Sequence, residues 1–199
     1  MIIEANQTRT KEGVSMEYSE ILCLKDGRTC RLRNGVEQDA QGALSCFLRT
    51  HEQTDYLLSL PEEITLTLEK EGDYLKARQA SPDEIELVAE VDGQIVGLAG
   101  IDRVGRGAKV RHRAHFGISI DRAWWGLGIG WAMVRACVQC AKRAGYRQVE
   151  LEVVAENQRA VALYRSEGFV EYGRNPQGFC STRSGCQEVI LMRRTWVGD

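Results

Sequence analysis

No apolar run in the chain approaches the roughly 20 residues that a membrane-spanning helix needs. The opening MIIEANQTRTKEG has no basic start followed by an apolar block, so a secretory signal is not expected. An excess of one charge is also missing. The 26 Lys and Arg nearly balance 28 Asp and Glu, for a net charge of −2 in 199 residues. That leaves little overall pull toward nucleic acid or an anionic membrane, and neither is expected as a partner. Internal repeats, low-complexity tracts and linkers are absent as well. The length fits one domain that buries a sizeable core without disulfides or metal.

Cysteine is present, but in no framework: there are seven, an odd number at irregular spacings. Cys137 and Cys140 form a CxxC on the apolar side of a helix-like run. A tetrahedral zinc site would need a second ligand pair nearby, which "CVQC" lacks, so no metal is expected. Cys180 and Cys186 bracket the turn-rich CSTRSGC and could meet across a hairpin. Disulfides are rare in reducing compartments, so the expectation is free thiols in a cytoplasmic protein.

Residues 1–16 are polar and aperiodic and read as a loose tail ahead of a single domain over 17–199. YSEILCLKDGRTCRLRNG gives two alternating runs joined at Asp26-Gly27, a hairpin signal. VEQDAQGALSCFLRTHEQ reads as a helix with Val36, Ala40, Ala43, Leu44 and Phe47 on one face. After Pro61, EEITLTLEKEGDYLKARQ supplies a second helix with an ambiguous start. EIELVAEVDGQIVGLAGIDRV is strand, Asp92-Gly93 turn, strand; AHFGISID is a further strand. A long helix, the strand RQVELEVVAEN, the helix QRAVALYRSEG, and closing strands FVEYGR and QEVILMRR follow. Helices, then a meander, then a strand–helix–strand crossover indicate an α+β domain with a mixed sheet.

The long helix opens at WWGLGIGW, with Gly126, Gly128 and Gly130 where helix formation should begin. Each glycine costs roughly 1 kcal/mol of helix propensity relative to alanine. Bare backbone there lets phosphate oxygens reach the unpartnered first amides of the helix at its positive end. A tight turn packed against the sheet would explain one glycine, but three much less well. A dinucleotide GxGxxG, with Glu150 or Glu152 on the ribose, fails because Trp131 occupies the third glycine position. A P-loop fails because no Gly-Lys-Ser/Thr follows.

NQRAVALYRSEGF adds Asn157 at a helix start, Tyr164 seven residues later and Gly168-Phe169 at the exit. With FGISID, WGLGIG and VELEVV in this order, the chain resembles the GNAT superfamily of acetyl-CoA-dependent N-acetyltransferases over about residues 84–194. The resemblance implies a mostly antiparallel sheet with helices on both faces and a splayed pair of central strands. It implies a coenzyme-binding core at about 84–170, and acetyl-CoA as cosubstrate.

The family's turn reads Arg/Gln-x-x-Gly-x-Gly/Ala, and its first position falls here on Trp125. Gly126 follows it, and backbone donors remain at Leu127, Gly128, Ile129 and Gly130 to hold the pyrophosphate. By the same resemblance the pantetheine arm bonds backbone near Ile118 and Ile120, like an added strand. Asn157 starts its helix and contacts the pantetheine, and Tyr164 is the general acid to the leaving thiolate. Glu152 is the better candidate base, with Glu150 as a solvated neighbour; for His115 a surface role is the simpler reading.

The stripe Ile129, Met133, Ala136, Cys137, Cys140 and Ala144 reads as core, and KVRHRAH (109–115) as a solvent loop. The expected reaction is direct attack, in a ternary complex, by a primary amine of a small molecule or a protein N-terminus. A catalytically silent acyl-CoA-binding module is the alternative, and a homodimer is possible. Acceptor choice would lie in residues 47–80 and the hairpin around 173–187.

Overall fold

The computed structural model describes residues 15–196. Within them eight strands form one sheet in the order β1-β2-β3-β4-β5-β6-β8-β7. The strands are β1 (Ser19–Cys23), β2 (Thr29–Asn34), β3 (Ile85–Val91), β4 (Gln94–Arg103), β5 (Arg113–Ile120), β6 (Gln148–Val154), β7 (Val170–Ser181) and β8 (Gly185–Thr195). The helices are α1 (Ala40–Gln53), α2 (Leu68–Ala80), α3 (Ile129–Arg143) and α4 (Gln158–Ser166). All pairings are antiparallel except β5 with β6. This is the expected α+β architecture.

Helices cover both faces because the central strands are apolar on both. On β3, Leu87, Ala89 and Val91 join the larger core under α3, while Val88 joins a second core. That second core comprises Ala40, Ala43 and Cys46 of α1 and Leu75 of α2, packed on Val88, Ile95 and Leu98. Strict alternation would send Ile95 and Leu98 to opposite faces. A bulge opposite Ala89/Glu90 absorbs one residue and returns both to the α1 side. Each such fully buried aliphatic side chain contributes roughly 1.5–3 kcal/mol.

The two leading helices start later than the hydrophobic pattern suggests, each after a 3-10 turn. Leu68 opens α2, where Thr67 Oγ1 accepts from the amide of Lys70 at 3.3 Å; residues 61–63 form only a short 3-10 turn. α1 likewise starts at Ala40, after a 3-10 turn at Glu37–Asp39. The expected tail falls mostly on residues 1–14, outside those described. Met16 is tied down, donating its amide to Ser81 O at 3.2 Å.

One expectation is overturned. Cys180 and Cys186 are bonded to each other, not free. The register of β7 and β8 places them directly opposite, on a hairpin whose strands continue through most of the segment read as variable. Of the other five cysteines Cys23 is exposed, and Cys30, Cys46, Cys137 and Cys140 are buried.

The central irregularity lies between β5 and β6. They pair only at Arg113–Gln148, Ala114–Val149 and His115–Glu150, and then diverge. The paired end is fastened by a bidentate ion pair: Arg113 Nε and Nη2 donate to Glu150 Oε1 and Oε2 at 2.9 and 2.8 Å. Gln148 Nε2 adds a hydrogen bond to Glu150 at 3.3 Å. Just past the last pair, Phe116 packs against Tyr164 and Phe169, with ring centroids 6.1 and 6.4 Å away.

Glu150→Ala would strand the Arg113 guanidinium at this junction. Arg113 is about one-third exposed, so the loss should be roughly 2 kcal/mol, below the 3–5 of a fully buried pair. Urea denaturation checks this, and an unchanged midpoint would refute a fastening role.

Candidate active site

The chain leaves β5 through Asp121, which is 5% exposed. Burial alone would raise its pKa, but hydrogen bonds from Gln53, Arg49 and the amide of Ala123 hold the carboxyl below its ordinary range. Arg49 Nε lies 2.6 Å and Gln53 Nε2 3.0 Å from it, so α1 clamps the start of the glycine turn. On the other side the β1–β2 turn leans in: Lys25 N donates to Leu127 O at 3.3 Å, and Arg28 lies 4.0 Å over the ring of Trp124.

Two of the three glycines are conformational. Gly126 and Gly128 have φ of 83° and 103°, where an L side chain is strained. Gly130 is a packing glycine, since a Cβ there would sit 3.3 Å from both Ile120 and Leu163. Gly128 is the N-cap of α3, and its carbonyl accepts from Ala132. The amides of Ile129, Gly130 and Trp131 therefore lack intrahelical acceptors and sit at the positive end of a 15-residue helix. This fits a phosphate group.

Trp125, standing where a cation or amide would be expected, acts as a strut. Its indole Nε1 donates to Ile120 O at 2.7 Å. Arg159, from the first turn of α4, lies 4.9 Å over its ring, and a Cβ at Gly126 would be 3.7 Å from the Arg159 Nη2. The positive charge missing from the turn is thus supplied by a residue 34 positions from Trp125 (159 − 125), which sequence reading passed over.

Where β5 and β6 part, a cleft of about 620 Å³ opens. Ile118, Ile120, Trp125, Gly126, Gly128, Gly130, Glu152, Asn157 and Tyr164 all line it. Leu127 and Ile129 do not: the Ile129 side chain is 1% exposed in the core, and Leu127 packs against the same cluster. Only their backbone can serve the turn.

Asn157 caps α4, its Oδ1 accepting from Ala160 N at 3.2 Å, and also borders the cleft. Tyr164 is 7% exposed, and burial pushes its phenol well above the ordinary value, keeping it in the proton-donating form. Glu152 is exposed on the diverging part of β6. Glu150, expected to be solvated, is 6% exposed and ion-paired, because it sits in the stretch where β5 still brings Arg113 alongside. His115 is exposed at the mouth.

A second cavity of about 540 Å³ lies on the α1/α2 side of the same strand. His115, Gly117, Ile118 and Ser119 of β5 line both spaces. Glu71 and Tyr74 of α2, Glu86 of β3, Asp102 of β4 and His51 of α1 also border it. Tyr74 donates its hydroxyl to Glu86 Oε2 at 3.1 Å. Burial pushes the Glu86 carboxyl up to about 8 and raises Glu71 as well. Sequence reading placed Glu71 in a helix and Glu86 and Asp102 in strands and gave none of them a role. With helices expected on both sides, a mid-strand glutamate was the available signal. Among the described residues, no three or more His, Cys, Asp and Glu side chains are grouped to hold a metal ion, and no helix is long and apolar enough to cross a membrane.

Residues 46–169 match the sequence signature described as the Acetyltransferase (GNAT) family. The chain belongs to that family. It is 42% identical over 94 residues to N-alpha-acetyltransferase RimI of Mycobacterium tuberculosis, covering 47% of this chain and 57% of that protein. It is 34% identical over 85 residues to L-amino acid N-acetyltransferase AaaT of Escherichia coli, covering 42% and 52%. The chain thus spans about half the length of these curated relatives. In three dimensions it is similar to a GNAT-family acetyltransferase from Streptococcus pneumoniae, with TM-score 0.80 and 27% identity over 84% of this chain and 99% of that one. The fold is shared with yncA of Salmonella typhimurium, solved with its cofactor acetyl-CoA, at TM-score 0.75 and 17% identity over 83% and 93%. The diverging strands and glycine turn therefore belong to a fold that in one solved relative holds acetyl-CoA.

Glu86 makes a pH test of the second cavity. The folded carboxyl titrates near 8 against an ordinary 4.5, so between those values the folded chain keeps a proton the unfolded chain has lost. Its contribution to stability is therefore greatest below 4.5 and declines as pH rises toward 8. Wild type should lose at least roughly 1 kcal/mol across that window, about 2–4 °C in Tm, relative to Glu86→Gln. Thermal melts of both proteins from pH 5 to pH 8 check it; parallel curves would refute the buried acid.

Proposed function

We propose that the protein transfers an acetyl group from acetyl-CoA to a primary amine by direct attack in a ternary complex. The observation that carries this reading is the juxtaposition of three features in one cleft: the amide-lined turn at Gly126–Gly130, the unpaired edge of β5, and Tyr164. Acetyl-CoA, when bound, supplies the thioester and its thiol leaving group.

The amides of Ile129, Gly130 and Trp131, with Arg159 beside them, hold the pyrophosphate at the helix end. Backbone of β5 beyond His115 has no β6 partner and is free to bond an extended arm. The indole of Trp125 already bonds the Ile120 carbonyl. Glu152 and Tyr164 line the same cleft. An ammonium acceptor gives up two protons on becoming an amide. One leaves through Glu152 to solvent, and the other is matched by the proton that Tyr164 hands to the sulfur as the C–N bond forms and the C–S bond breaks. Acceptors named for the relatives, protein N-termini and amino acids, share the primary amine this scheme requires.

Gly128→Asp places a strained side chain and a negative charge in the turn. Nothing lies within 4 Å of its Cβ position, so backbone strain and charge are the disruptive changes. Acetyl-CoA affinity by calorimetry should fall at least about 100-fold. Retained binding would refute the site.

Tyr164→Phe keeps the aromatic packing and removes the donor. Thiol release with an active acceptor should drop about 100-fold in kcat with little change in acetyl-CoA affinity. A binding module without catalysis would instead show no turnover in either protein.

A further inference from the structure

The second cavity has in its wall an acid without a bonded partner. Glu71 is 6% exposed and borders the cavity, yet among the described residues its carboxylate makes no hydrogen bond or ion pair. A carboxylate in so enclosed a position is normally paired or hydrogen-bonded. Its neighbour Glu86 has one oxygen engaged by the Tyr74 hydroxyl. Asp102, the third acid, pairs with Arg78, which is not among the cavity's walls.

No Lys or Arg lines this space, and His51 and His115 are its basic side chains, so its wall carries no permanent cation for a ligand carboxylate or phosphate. Much of the remaining wall is apolar or aromatic, with Leu57, Leu58, Leu66, Leu98, Phe47 and the Tyr74 ring, beside the polar His51, His115, Ser59 and Ser119. That surface suits a methylene chain, and its aromatic faces suit an ammonium. The cavity shares part of its wall with the acyl-transfer cleft. Gly117 lines both spaces and has nothing within 4 Å of its Cβ position, so no side chain obstructs the strand there.

We infer that this cavity is the acceptor site and that its ligand is a small linear diamine or polyamine, the distal ammonium held by the Glu71 carboxylate, with the Glu86 carboxyl beside it as a neutral hydrogen-bond acceptor, while the proximal amine reaches past Gly117 to the cleft. This rests on the acetyl-transfer reading for the chemistry but not for the binding. The distal ammonium supplies the charge that Glu71 lacks, and the alkyl chain covers the leucines. An amino acid is disfavoured, because its carboxylate would face Glu71 with no Lys or Arg in the wall.

The test uses three four-carbon probes: diaminobutane, butylamine and aminobutyrate, which end in an ammonium, a methyl and a carboxylate. Calorimetry on the full chain should show diaminobutane binding at least about tenfold more tightly than butylamine, with aminobutyrate weakest. Glu71→Gln, which removes the unpaired charge at constant shape, should reduce diaminobutane to the butylamine level. It should melt no lower than wild type, so loss of binding cannot be ascribed to unfolding. Thiol release should show the same order in kcat/KM.

Equal affinity for diaminobutane and butylamine, a preference for aminobutyrate, or undiminished diamine binding by Glu71→Gln would each overturn the assignment. Diamine binding without acetyl transfer would leave the cavity assigned and sink the transferase reading. Transfer to a peptide N-terminus without diamine binding would do the reverse.

Discussion

Everything in this molecule turns on two parallel strands that stop pairing. β5 and β6 share three residue pairs, are fastened by the Arg113–Glu150 ion pair, and then part around Phe116. A continuous sheet would satisfy its own backbone groups and leave no room between the strands. Divergence gives up part of that ladder. In exchange the interior of the sheet acquires an edge without an exposed outer strand. The aromatic cluster of Phe116, Tyr164 and Phe169 stabilises the fork on one face, so the gap is a packed feature rather than a defect.

The glycine turn is held at the end of that fork from several directions. Asp121 is gripped by Arg49 and Gln53, Leu127 by the β1–β2 turn, and Trp125 by Ile120 and Arg159. These are contacts between elements far apart in the chain, and they orient the first amides of α3 without placing a bulky side chain over them. An anion site built from backbone needs such external clamping, since the glycines themselves have no side chains with which to hold a conformation.

The two sides of β5 differ sharply in electrostatics. One opens on helix-end amides with Arg159 and Lys25 nearby, the other on Glu71, Glu86 and Asp102. Cationic and acidic side chains thus line opposite sides of a single strand. In the proposed reaction that strand brings an anionic donor and a cationic acceptor together from opposite sides.

Local pattern was enough to recover the strands, the 3.6-residue stripe of α3, the glycine turn and the Asn157–Tyr164 spacing, because each depends on neighbours within a few turns of chain. It misjudged what depends on register. Cys180 and Cys186 meet because β7 and β8 align them, and Glu150 is paired because β5 runs beside it. Glu86 and Glu71 were given no role, since alternation on a strand or helix says which residues share a face but not what covers it. Arg159 could not be connected with Trp125 from spacing alone. The composition and periodicity of the chain decided that there would be a sheet wrapped by helices with an amide-rich turn. Long-range packing decided where the sheet splits and which acids it encloses, since burial and charge pairing are properties of the assembled fold.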